Sequence, residues 1–417
     1  MALISRRTIL RTAPIAAGSL ATLSGRRAAA ADPIKLGALI PLAGANAVYG
    51  KDIKIGMDAA IERINGAGGV LGRPLEMVYY DDGATPTRTA TGFREMTGNG
   101  VNIVWFGPYT AQALAVMPLL EGANTLGMII GTSGMNLNHE GFVKNAFFHR
   151  YNSYMMYGGQ VLVMAKENPD VTKWALIIPD VGSGEDIYQS LKRGFAVHYP
   201  KVAGKQATLH EPIRVKIGTP EFRTQINQLM SLDAEGISSS VFGSEGMTFW
   251  QQAKQVGLDK KYKVQIETGL DIAVGKTLKA NTPNNLWVFT GWYPPAETAN
   301  KVSNDLLAEY NKRSTDNNPT YMVAYGHDSL TAVAGAIAQA GKTDTPAVVA
   351  ALEKVQVQGA GGKVKYRAED HQLVQDIRYL NYGPDAASPE GFKVFKTVVL
   401  SGDELMDPAS PAQKWNW

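Results

Sequence analysis

Residues 34–82 read IKLGALIPLAGANAVYGKDIKIGMDAAIERINGAGGVLGRPLEMVYYDD, and this stretch decides the fold class. The apolar run over residues 34–40 predicts a buried strand that ends before Pro41. Apolar residues then recur at helical spacing from Ile53 to Ile64 and predict an amphipathic helix. Glycines end that helix, and a second predicted strand leads to the Asp81-Asp82 pair. A strand–helix–strand unit is typically a right-handed crossover in a parallel sheet, with ligand contacts at the carboxyl ends of the strands.

Strand and helix patterns alternate along the rest of the chain. At 417 residues the chain is too long for one ordinary hydrophobic core, so we expect two domains. Further strands are predicted at 101–106, 126–130, 174–178, 237–242, 262–266 and 286–290, and further helices at about 111–122, 153–167, 185–199, 246–257, 271–279, 299–312 and 322–340. Thr219 is a candidate cap for another helix, which carries Phe222. This pattern predicts an α/β protein with doubly wound sheets.

The opening stretch resembles the leucine/branched-chain amino-acid family of periplasmic solute-binding proteins, which serve ABC importers. The resemblance rests on the order of four features: a small-residue loop, Tyr-Gly before the first helix, Ile-Asn-x-x-Gly-Gly after it, and a closing Asp-Asp. It extends over nearly all of the chain beyond residue 31. It implies two doubly wound parallel-sheet lobes joined by a hinge of three crossings, the type I arrangement.

The resemblance also implies that each lobe is discontinuous in sequence. The first lobe is expected at 32–150 and 288–360, and the second lobe at 151–287 and 361–417. The crossings between lobes are expected at Phe148-His149-Arg150-Tyr151, near Trp287 to Thr290, and at Gly359-Ala360-Gly361-Gly362-Lys363-Val364.

Residues 1–31 are predicted to be a twin-arginine signal peptide. Ser5-Arg6-Arg7-Thr8-Ile9-Leu10 fits the twin-arginine pattern, a moderately apolar segment follows, and four alanines end at Ala31. We expect cleavage just before Ala31 or Asp32, after export to the periplasm. Five arginines and no acidic residue lie in this leader, so the formal charge of +3 becomes −2 without it. The mature chain therefore gives no reason to expect nucleic-acid binding.

Two loops rich in amides and hydroxyls follow predicted strands. Gly107-Pro108-Tyr109-Thr110-Ala111-Gln112 opens a helix after strand 101–106, where free amides suit a carboxylate. Gly131-Thr132-Ser133-Gly134 follows strand 126–130. In the resembled family these loops hold the carboxylate of the ligand, which implies that role for Tyr109, Thr110, Thr132, Ser133 and Gly134. Taken singly, each residue is as well explained as a helix cap or a turn.

The second lobe is expected to contribute residues after three of its strands. The resemblance implies ligand contacts at Ser183, Ser244, Glu267 and Thr268. Glu267 matches the acidic residue that pairs with a ligand ammonium in amino-acid-binding relatives, although a solvated surface glutamate is an equal explanation. Tyr49 matches an aromatic of the pocket wall, or else packs at the start of the first helix.

Two loops depart from the pattern of the family and leave the solute open. Val181-Gly182-Ser183-Gly184 replaces a Tyr-Gly-x-Gly loop, and Gly243-Ser244-Glu245 lacks the tyrosine found in leucine binders. Aromatic residues near the expected cleft extend the candidates from branched-chain amino acids to aromatic acids. These residues are Trp105, Trp292 and Tyr293, of which Trp105 is better explained as a core residue.

Motifs of catalysis and metal binding do not occur in the sequence. None of the six histidines pairs with another at metal-ligand spacing, there are no cysteines, and neither a nucleophile elbow nor a phosphate loop is present. We therefore expect no enzymatic activity, no metal and no cofactor. The expected function is the periplasmic substrate-binding component of an ABC importer. A monomer would capture a small carboxylate-bearing solute and present it to ABC permease subunits at the inner membrane.

Two alternatives stay open at this point. One is a soluble sensor that reports a small solute to a receptor instead of a permease. The other is a secreted α/β hydrolase, for which the sequence suggests no Ser-His-acid constellation.

Overall fold

Two large β-sheets organise the chain in the computed structural model, which describes residues 31–44, 47–315 and 319–416. The predicted signal peptide lies outside the described residues, apart from Ala31. The strands are β1 (Ile34–Ile40), β2 (Leu75–Asp81), β3 (Ile103–Phe106), β4 (Leu126–Ile130), β5 (Ala146–His149), β6 (Lys173–Pro179), β7 (Thr208–Leu209), β8 (Ile213–Val215), β9 (Gly236–Ser239), β10 (Val264–Glu267), β11 (Leu286–Thr290), β12 (Val357–Gly359), β13 (Gly362–Tyr366), β14 (Leu373–Val374), β15 (Ile377–Pro384) and β16 (Phe392–Leu400).

Helices follow most of the parallel strands. They are α1 (Ala47–Gly66), α2 (Pro86–Gly98), α3 (Thr110–Val116), α4 (Gly159–Glu167), α5 (Gly182–His198), α6 (Arg223–Ser231), α7 (Gly243–Gln255), α8 (Leu258–Lys261), α9 (Ala273–Leu278), α10 (Lys301–Arg313), α11 (Tyr321–Ala340), α12 (Thr345–Leu352) and α13 (Gly402–Leu405). A π-helical turn, Tyr154–Gly158, leads directly into α4. Within the described residues, no helix combines the length and apolar character that a membrane span requires.

The first sheet has the strand order β2-β1-β3-β4-β5, and all of its neighbouring strands are parallel. Strand β1 is buried at every position except Lys35, because helices cover both faces of a parallel sheet. In register, Ile34 pairs with Leu75 and Gly37 pairs with Val104. We call this sheet, with the helices that pack on it, the first lobe.

The second sheet has eight strands and defines the second lobe. Its order is β16-β15-β11-β10-β9-β6-β7, and β8 also pairs with β6. The strands from β6 to β11 run parallel, whereas β15 and β16 join them antiparallel at one edge. The prediction of two doubly wound lobes is therefore confirmed, with a mixed sheet in the second lobe.

Sheet membership moves two of the predicted lobe boundaries. Residues 288–290, which the sequence assigned to the first lobe, belong to β11 in the second sheet. The predicted third crossing at 359–364 is instead a hairpin of β12 and β13, which packs with β14 against α11 and β5 of the first lobe. The third crossing lies at 375–376, between β14 and β15. The sequence shows that a segment is extended but not which strand it pairs with.

Hydrogen bonds tie the three crossings to one another. The Tyr151 hydroxyl donates to the Asp376 carbonyl at 2.8 Å. The Arg378 guanidinium donates to the same carbonyl at 2.9 Å and, directly after β11, to the Gly291 carbonyl at 3.4 Å. The Gln372 side-chain amide donates to the Arg150 carbonyl at 2.6 Å. The hinge is therefore a bonded cluster and not three independent linkers.

The predictions from sequence miss helix α2 and assign a helix cap to the wrong residue. Helix α2 was not predicted, because its sequence PTRTATGFREMTG is rich in threonine and glycine and buries only one large aromatic, Phe93. Thr219 does not cap a helix, since α6 begins only at Arg223 and the Thr219 hydroxyl donates to the Lys216 carbonyl in a turn. Both differences reflect weak local signals that tertiary contacts override.

Helices α1 and α11 pack closely because each contributes a glycine to the contact. A Cβ at Gly56 would overlap the backbone carbonyl of Val323, and a Cβ at Gly326 would overlap the carbonyl of Ile53. Residues from before the first crossing and after the second crossing meet here. This packing completes the first lobe from two distant segments of sequence.

The C-terminal segment, residues 406–416, returns to the first lobe after α13. Asp407 bridges His139 at 2.9 Å and the side-chain amide of Asn152 at 2.6 Å. The Trp415 ring lies 4.6 Å from the His139 ring, and the guanidinium of Arg193 in the second lobe lies 5.7 Å from the Trp415 ring. This segment therefore contacts both lobes beside the hinge.

We predict that Gly56→Ala destabilises the protein by about 1–3 kcal/mol, because the added methyl group forces α1 away from α11. Gly66→Ala is the matched control, since Gly66 ends the same helix with open space around its Cα and should be neutral or slightly stabilising. Urea denaturation of both variants measures the difference. Equal stability of the two variants would contradict the proposed importance of this packing.

Candidate functional site

Loops at the carboxyl ends of the parallel strands of both lobes meet in one region, which we call the interlobe site. The Ser153 amide and hydroxyl donate to the Ser133 carbonyl at 2.9 and 3.0 Å. The Met135 amide donates to the Asp186 carboxylate at 3.4 Å, which joins the loop after β4 to α5. The topology explains this meeting, since parallel strands present their carboxyl ends at the same edge of each sheet.

Hydroxyl groups from two adjacent strands come together at the first-lobe rim of this site. Strand β3 pairs with β4, and the hydroxyls of Thr110 and Thr132, which follow these strands, lie 2.6 Å apart. Tyr109 caps α3, and its backbone amide donates to the side-chain oxygen of Gln112 at 3.1 Å. Gly134 lies against Thr110, where a Cβ would meet the threonine side chain. The structure thus brings together the predicted residues of both loops.

Two neighbours hold the loop after β4 in place. Arg150 is fully buried, and one of its terminal nitrogens donates to the Gly134 carbonyl at 2.9 Å. The hydroxyl of Tyr157, on the π-helical turn, forms a hydrogen bond with the Ser133 side chain, while burial raises the pKa of Tyr157. Ser133 is therefore shared between the lobes.

Two tyrosine side chains line the site from the first lobe. Tyr49 lies in the first turn of α1 and is half-buried. Burial raises its pKa, and the carboxyl groups of Glu267 and Asp271 raise it further, so this first-lobe tyrosine lies within electrostatic range of both acids. Tyr321, at the start of α11, is half-buried; burial of its hydroxyl raises the pKa, and Asp271 and Tyr49 raise it further. Close packing of α1 against α11 thus positions both rings.

Glu267 ends β10 and is fully buried, so the alternative of a solvated surface glutamate is wrong. Trp250 donates from its indole nitrogen to Oε2 at 2.5 Å, and the Gly269 amide donates to Oε1 at 2.7 Å. Burial raises the pKa of Glu267 to about 8 despite these hydrogen bonds. Both carboxyl oxygens are thus engaged within the second lobe.

Asp271 is a second acid at this wall, in the loop that follows β10. Its backbone has a φ of 51°, a left-handed conformation that aspartate tolerates better than most residues. Oδ2 accepts the Thr290 hydroxyl at 3.1 Å, whereas Oδ1 is inaccessible to solvent and has no hydrogen-bond partner among the described residues. Burial raises the pKa of Asp271 to about 7. The residue as a whole is partly exposed, so only its carboxyl end is enclosed.

The other predicted residues of the second lobe are Thr268, Ser183 and Ser244. Thr268 is buried, and its hydroxyl donates to the Ser240 hydroxyl at 2.7 Å and to the Ser239 carbonyl at 3.1 Å. Ser183 lies in the first turn of α5 and Ser244 in the first turn of α7, at the expected edge of the sheet. Across the described ranges, no hydrogen bond joins the side chain of Ser183 or Ser244 to the interlobe site.

Sequence reasoning missed several members of the site. Asp271, Tyr157 and Tyr321 lie in no recognisable motif, and only a position after a strand or at a helix start distinguishes them. Trp105 and Trp292 are buried and donate to Ser329 at 2.9 Å and Ser303 at 2.7 Å, so they belong to the core. Their placement confirms the interpretation of Trp105.

A serine–histidine–aspartate chain of hydrogen bonds does occur, at the C-terminal segment. His139 joins the Ser410 hydroxyl at 2.6 Å through Nδ1 and Asp407 at 2.9 Å through Nε2. The imidazole is fully buried and lies beneath the Trp415 ring, and the His139 carbonyl accepts the Ala412 amide at 2.7 Å. These contacts fasten the C-terminal segment to the first lobe.

The family model described as periplasmic binding protein matches residues 33–386. The chain belongs to this family. A periplasmic binding protein is a solute-binding protein, in keeping with two lobes that meet at loops. No curated protein sequence matches this chain significantly.

Solved structures of similar fold support the same architecture. The leucine-, isoleucine-, valine-, threonine- and alanine-binding protein from Brucella ovis, in its closed conformation, has a TM-score of 0.78 at 19% identity, over 90% of this chain and 97% of its own. An ABC transporter solute-binding protein from Rhodopseudomonas palustris BisB5, in complex with 3,4-dihydroxybenzoic acid, has a TM-score of 0.72 at 20% identity, over 88% and 97%. Another from R. palustris, in complex with 4-hydroxybenzoate, has a TM-score of 0.73 at 17% identity, also over 88% and 97%. At these identities the similarity establishes the fold.

The buried carboxyl groups predict how the stability of this periplasmic binding protein depends on pH. Because the folded-state pKa of Glu267 is about 8 and its ordinary value is 4.5, its stabilising contribution is greatest below pH 4.5 and is lost as the pH rises to about 8. Asp271 acts in the same direction between about pH 4 and pH 7. The free energy of unfolding should therefore fall as the pH rises from 5 to 8.

Glu267→Gln should reduce this fall by a few kcal/mol at most, since each unit of pKa shift corresponds to about 1.4 kcal/mol. Urea denaturation at pH 5 and pH 8 measures it. Glu121→Gln, at an exposed position of the first lobe, is the control for the loss of a carboxylate. An identical pH dependence of the Glu267→Gln variant and the unmodified protein would contradict this account.

Proposed function

We propose that this periplasmic binding protein is the substrate-binding component of an ABC importer and captures a small carboxylate-bearing solute between its lobes. The observation that carries the proposal is the rim of donors after β3 and β4, where the Thr110 and Thr132 hydroxyls lie 2.6 Å apart. Such convergent hydroxyls and loop amides suit the oxygens of a carboxylate. Similar folds with bound aromatic acids or with amino-acid-binding names support the solute class.

The proposed ligand-binding residues come from both walls of the interlobe site. The first-lobe residues are Tyr49, Tyr109, Thr110, Thr132, Ser133 and Gly134, and the second-lobe residues are Ser183, Ser244, Glu267 and Thr268. The hydroxyl-bearing first-lobe loops would bind the acid group. The second-lobe residues would close over the remainder of the solute.

Closure about the bonded hinge would couple binding to transport. A ligand shifts the population toward the closed form only by binding that form better. Contacts such as those of Ser153 with Ser133 join the lobes and would be made or strengthened on closure. The closed monomer would then dock on ABC permease subunits at the inner membrane, and the binding itself needs no catalysis and no cofactor.

The first expected outcome concerns solute binding. Thermal melting against a panel of branched-chain and aromatic amino acids, hydroxybenzoates and small amides should show a melting temperature that rises with the logarithm of ligand concentration for at least one acid. If no panel member shifts the melting temperature, the proposal of amino-acid or aromatic-acid uptake fails.

Thr132→Val tests the donor rim with the best ligand of that panel. Affinity should fall about tenfold or more, a loss of about 1.4 kcal/mol, because the variant lacks one donor to the carboxylate and the contact with Thr110. Thr97→Val is the matched control, since the Thr97 hydroxyl bonds only within α2, to the carbonyls of Phe93 and Arg94. Calorimetric titration measures both affinities. Equal affinities for the two variants would show that the donor rim does not contact the ligand.

The export route is part of the same proposal. Arg6 and Arg7 precede an apolar segment, and the small residues that follow suit cleavage near Ala31. We expect that inactivation of the twin-arginine translocase leaves the precursor in the cytoplasm, as measured by fractionation and immunoblotting. Unchanged delivery to the periplasm would assign the leader to another route.

A further inference from the structure

We propose that Asp271 selects the solute, because its unpaired carboxyl oxygen receives a cationic nitrogen group such as an ammonium. This inference rests on the proposed function and specifies its substrate class. The solute would be a zwitterion, with its carboxylate at the loops after β3 and β4 and its cationic group at Asp271.

The position of Asp271 favours contact with a solute in the interlobe site. The residue follows β10 at the edge of the second sheet that faces the first lobe, and its carboxyl group acts electrostatically on Tyr49 and Tyr321 of the first lobe. The Thr290 hydroxyl donates to Oδ2 of Asp271 at 3.1 Å, and the Tyr382 hydroxyl donates to the backbone carbonyl of Asp271 at 3.0 Å. The first contact holds the side chain and the second holds the backbone. The Ile272 amide lies close enough to lower the pKa of the carboxyl group, but Oδ1 has no hydrogen-bond partner among the described residues. A buried acceptor without a partner costs free energy that a donor on the solute would recover.

The hydrogen bonds of Glu267 make it a weaker candidate than Asp271 for binding an ammonium. In amino-acid-binding relatives of this family the matching acid pairs with the ammonium of the ligand, which makes Glu267 the obvious candidate. Here, however, Trp250 and the Gly269 amide already occupy its two oxygens at 2.5 and 2.7 Å. Hydrogen bonds from Ser239 and the Thr268 amide also act on this carboxyl group, so its roughly four acceptor sites have donors. A solute ammonium would have to displace one of these donors to bind Glu267, whereas Oδ1 of Asp271 has no partner among the described residues.

The two walls of the interlobe site differ in polarity. The first-lobe wall presents the hydroxyls of Thr110 and Thr132, and the second-lobe wall carries the carboxyl groups of Glu267 and Asp271. Donors opposite acids match a solute with a negative and a positive end.

A cationic group fits Asp271 better than a neutral donor for an energetic reason. The Lys276 ammonium lowers the pKa of Asp271, but burial outweighs it, so the enclosed carboxylate is still unfavourable. An ion pair with added hydrogen bonds offsets much of this desolvation. A charge-assisted hydrogen bond is also about twice as strong as a neutral one. A phenol or amide donor would satisfy Oδ1 but would add no positive charge to that of Lys276.

Matched pairs of ligands test the inference on the intact mature protein by calorimetric titration at pH 7.5. Each pair differs in the cationic nitrogen group: leucine and 4-methylpentanoate, phenylalanine and 3-phenylpropanoate, 4-(aminomethyl)benzoate and 4-methylbenzoate. The unmodified protein should bind the nitrogen-bearing member of at least one pair tenfold or more tightly. Asp271→Asn should reduce that affinity tenfold or more and change the affinity of the nitrogen-free member by less than about threefold.

The variant suits the backbone at this position, since asparagine tolerates a φ of 51° as aspartate does. Asp233→Asn makes the same chemical change at an exposed site of the second lobe and should leave the preference intact. The preference of the unmodified protein is measured separately, so the inference can fail even if a variant does not fold.

Three results would overturn the inference. These are equal or better binding of nitrogen-free acids by the unmodified protein, equal losses for both members of a pair in Asp271→Asn, and loss of the preference in Glu267→Gln but not in Asp271→Asn. In all three results an acid still binds, so the proposed function survives. If no acid of any pair or of the melting panel binds, the proposed function fails and the inference fails with it.

Discussion

The close packing of α1 on α11 is the constraint on which the first lobe and its half of the interlobe site depend. Gly56 and Gly326 let two backbones approach to a distance that any side chain would prevent. Because α11 follows the second crossing, this contact returns a distant segment of chain to the first sheet. It also sets the positions of Tyr49 and Tyr321, which lie in the first turns of the two helices and within electrostatic range of Asp271 in the second lobe. One backbone contact therefore links the core, the hinge and the site.

The interlobe site concentrates groups that weaken the folded state. Two carboxyl groups, Glu267 and Asp271, lie in surroundings that disfavour their charged forms, and Arg150 is fully buried beside the hinge. Proteins retain such groups where preorganised polarity serves binding. The neighbouring hydrogen bonds show the difference between the two acids: Glu267 is satisfied inside its own lobe, whereas Asp271 keeps one oxygen free. We therefore infer that Glu267 has a structural role, whereas Asp271 binds the solute.

Much of the fold was predictable because its local patterns are strong. The strands at 126–130 and 286–290 are predicted with the bounds that the structure shows, and the crossing at Arg150 follows from the resemblance. Helix α2 was missed because threonine and glycine give little helical signal. The hairpin of β12 and β13 was mistaken for a crossing because strand partners are chosen by packing over long distances in sequence.

The sequence by itself determined the α/β class, the family resemblance and the two hydroxyl-bearing loops after β3 and β4, because periodicity and loop composition are local properties. Only the tertiary structure decided that the Thr110 and Thr132 hydroxyls touch, that both oxygens of Glu267 accept hydrogen bonds within the second lobe, and that one oxygen of Asp271 has no partner among the described residues. The reason is physical: the energy of a buried polar group depends on which partners surround it in space. Those partners come from strands and helices that are far apart in the chain.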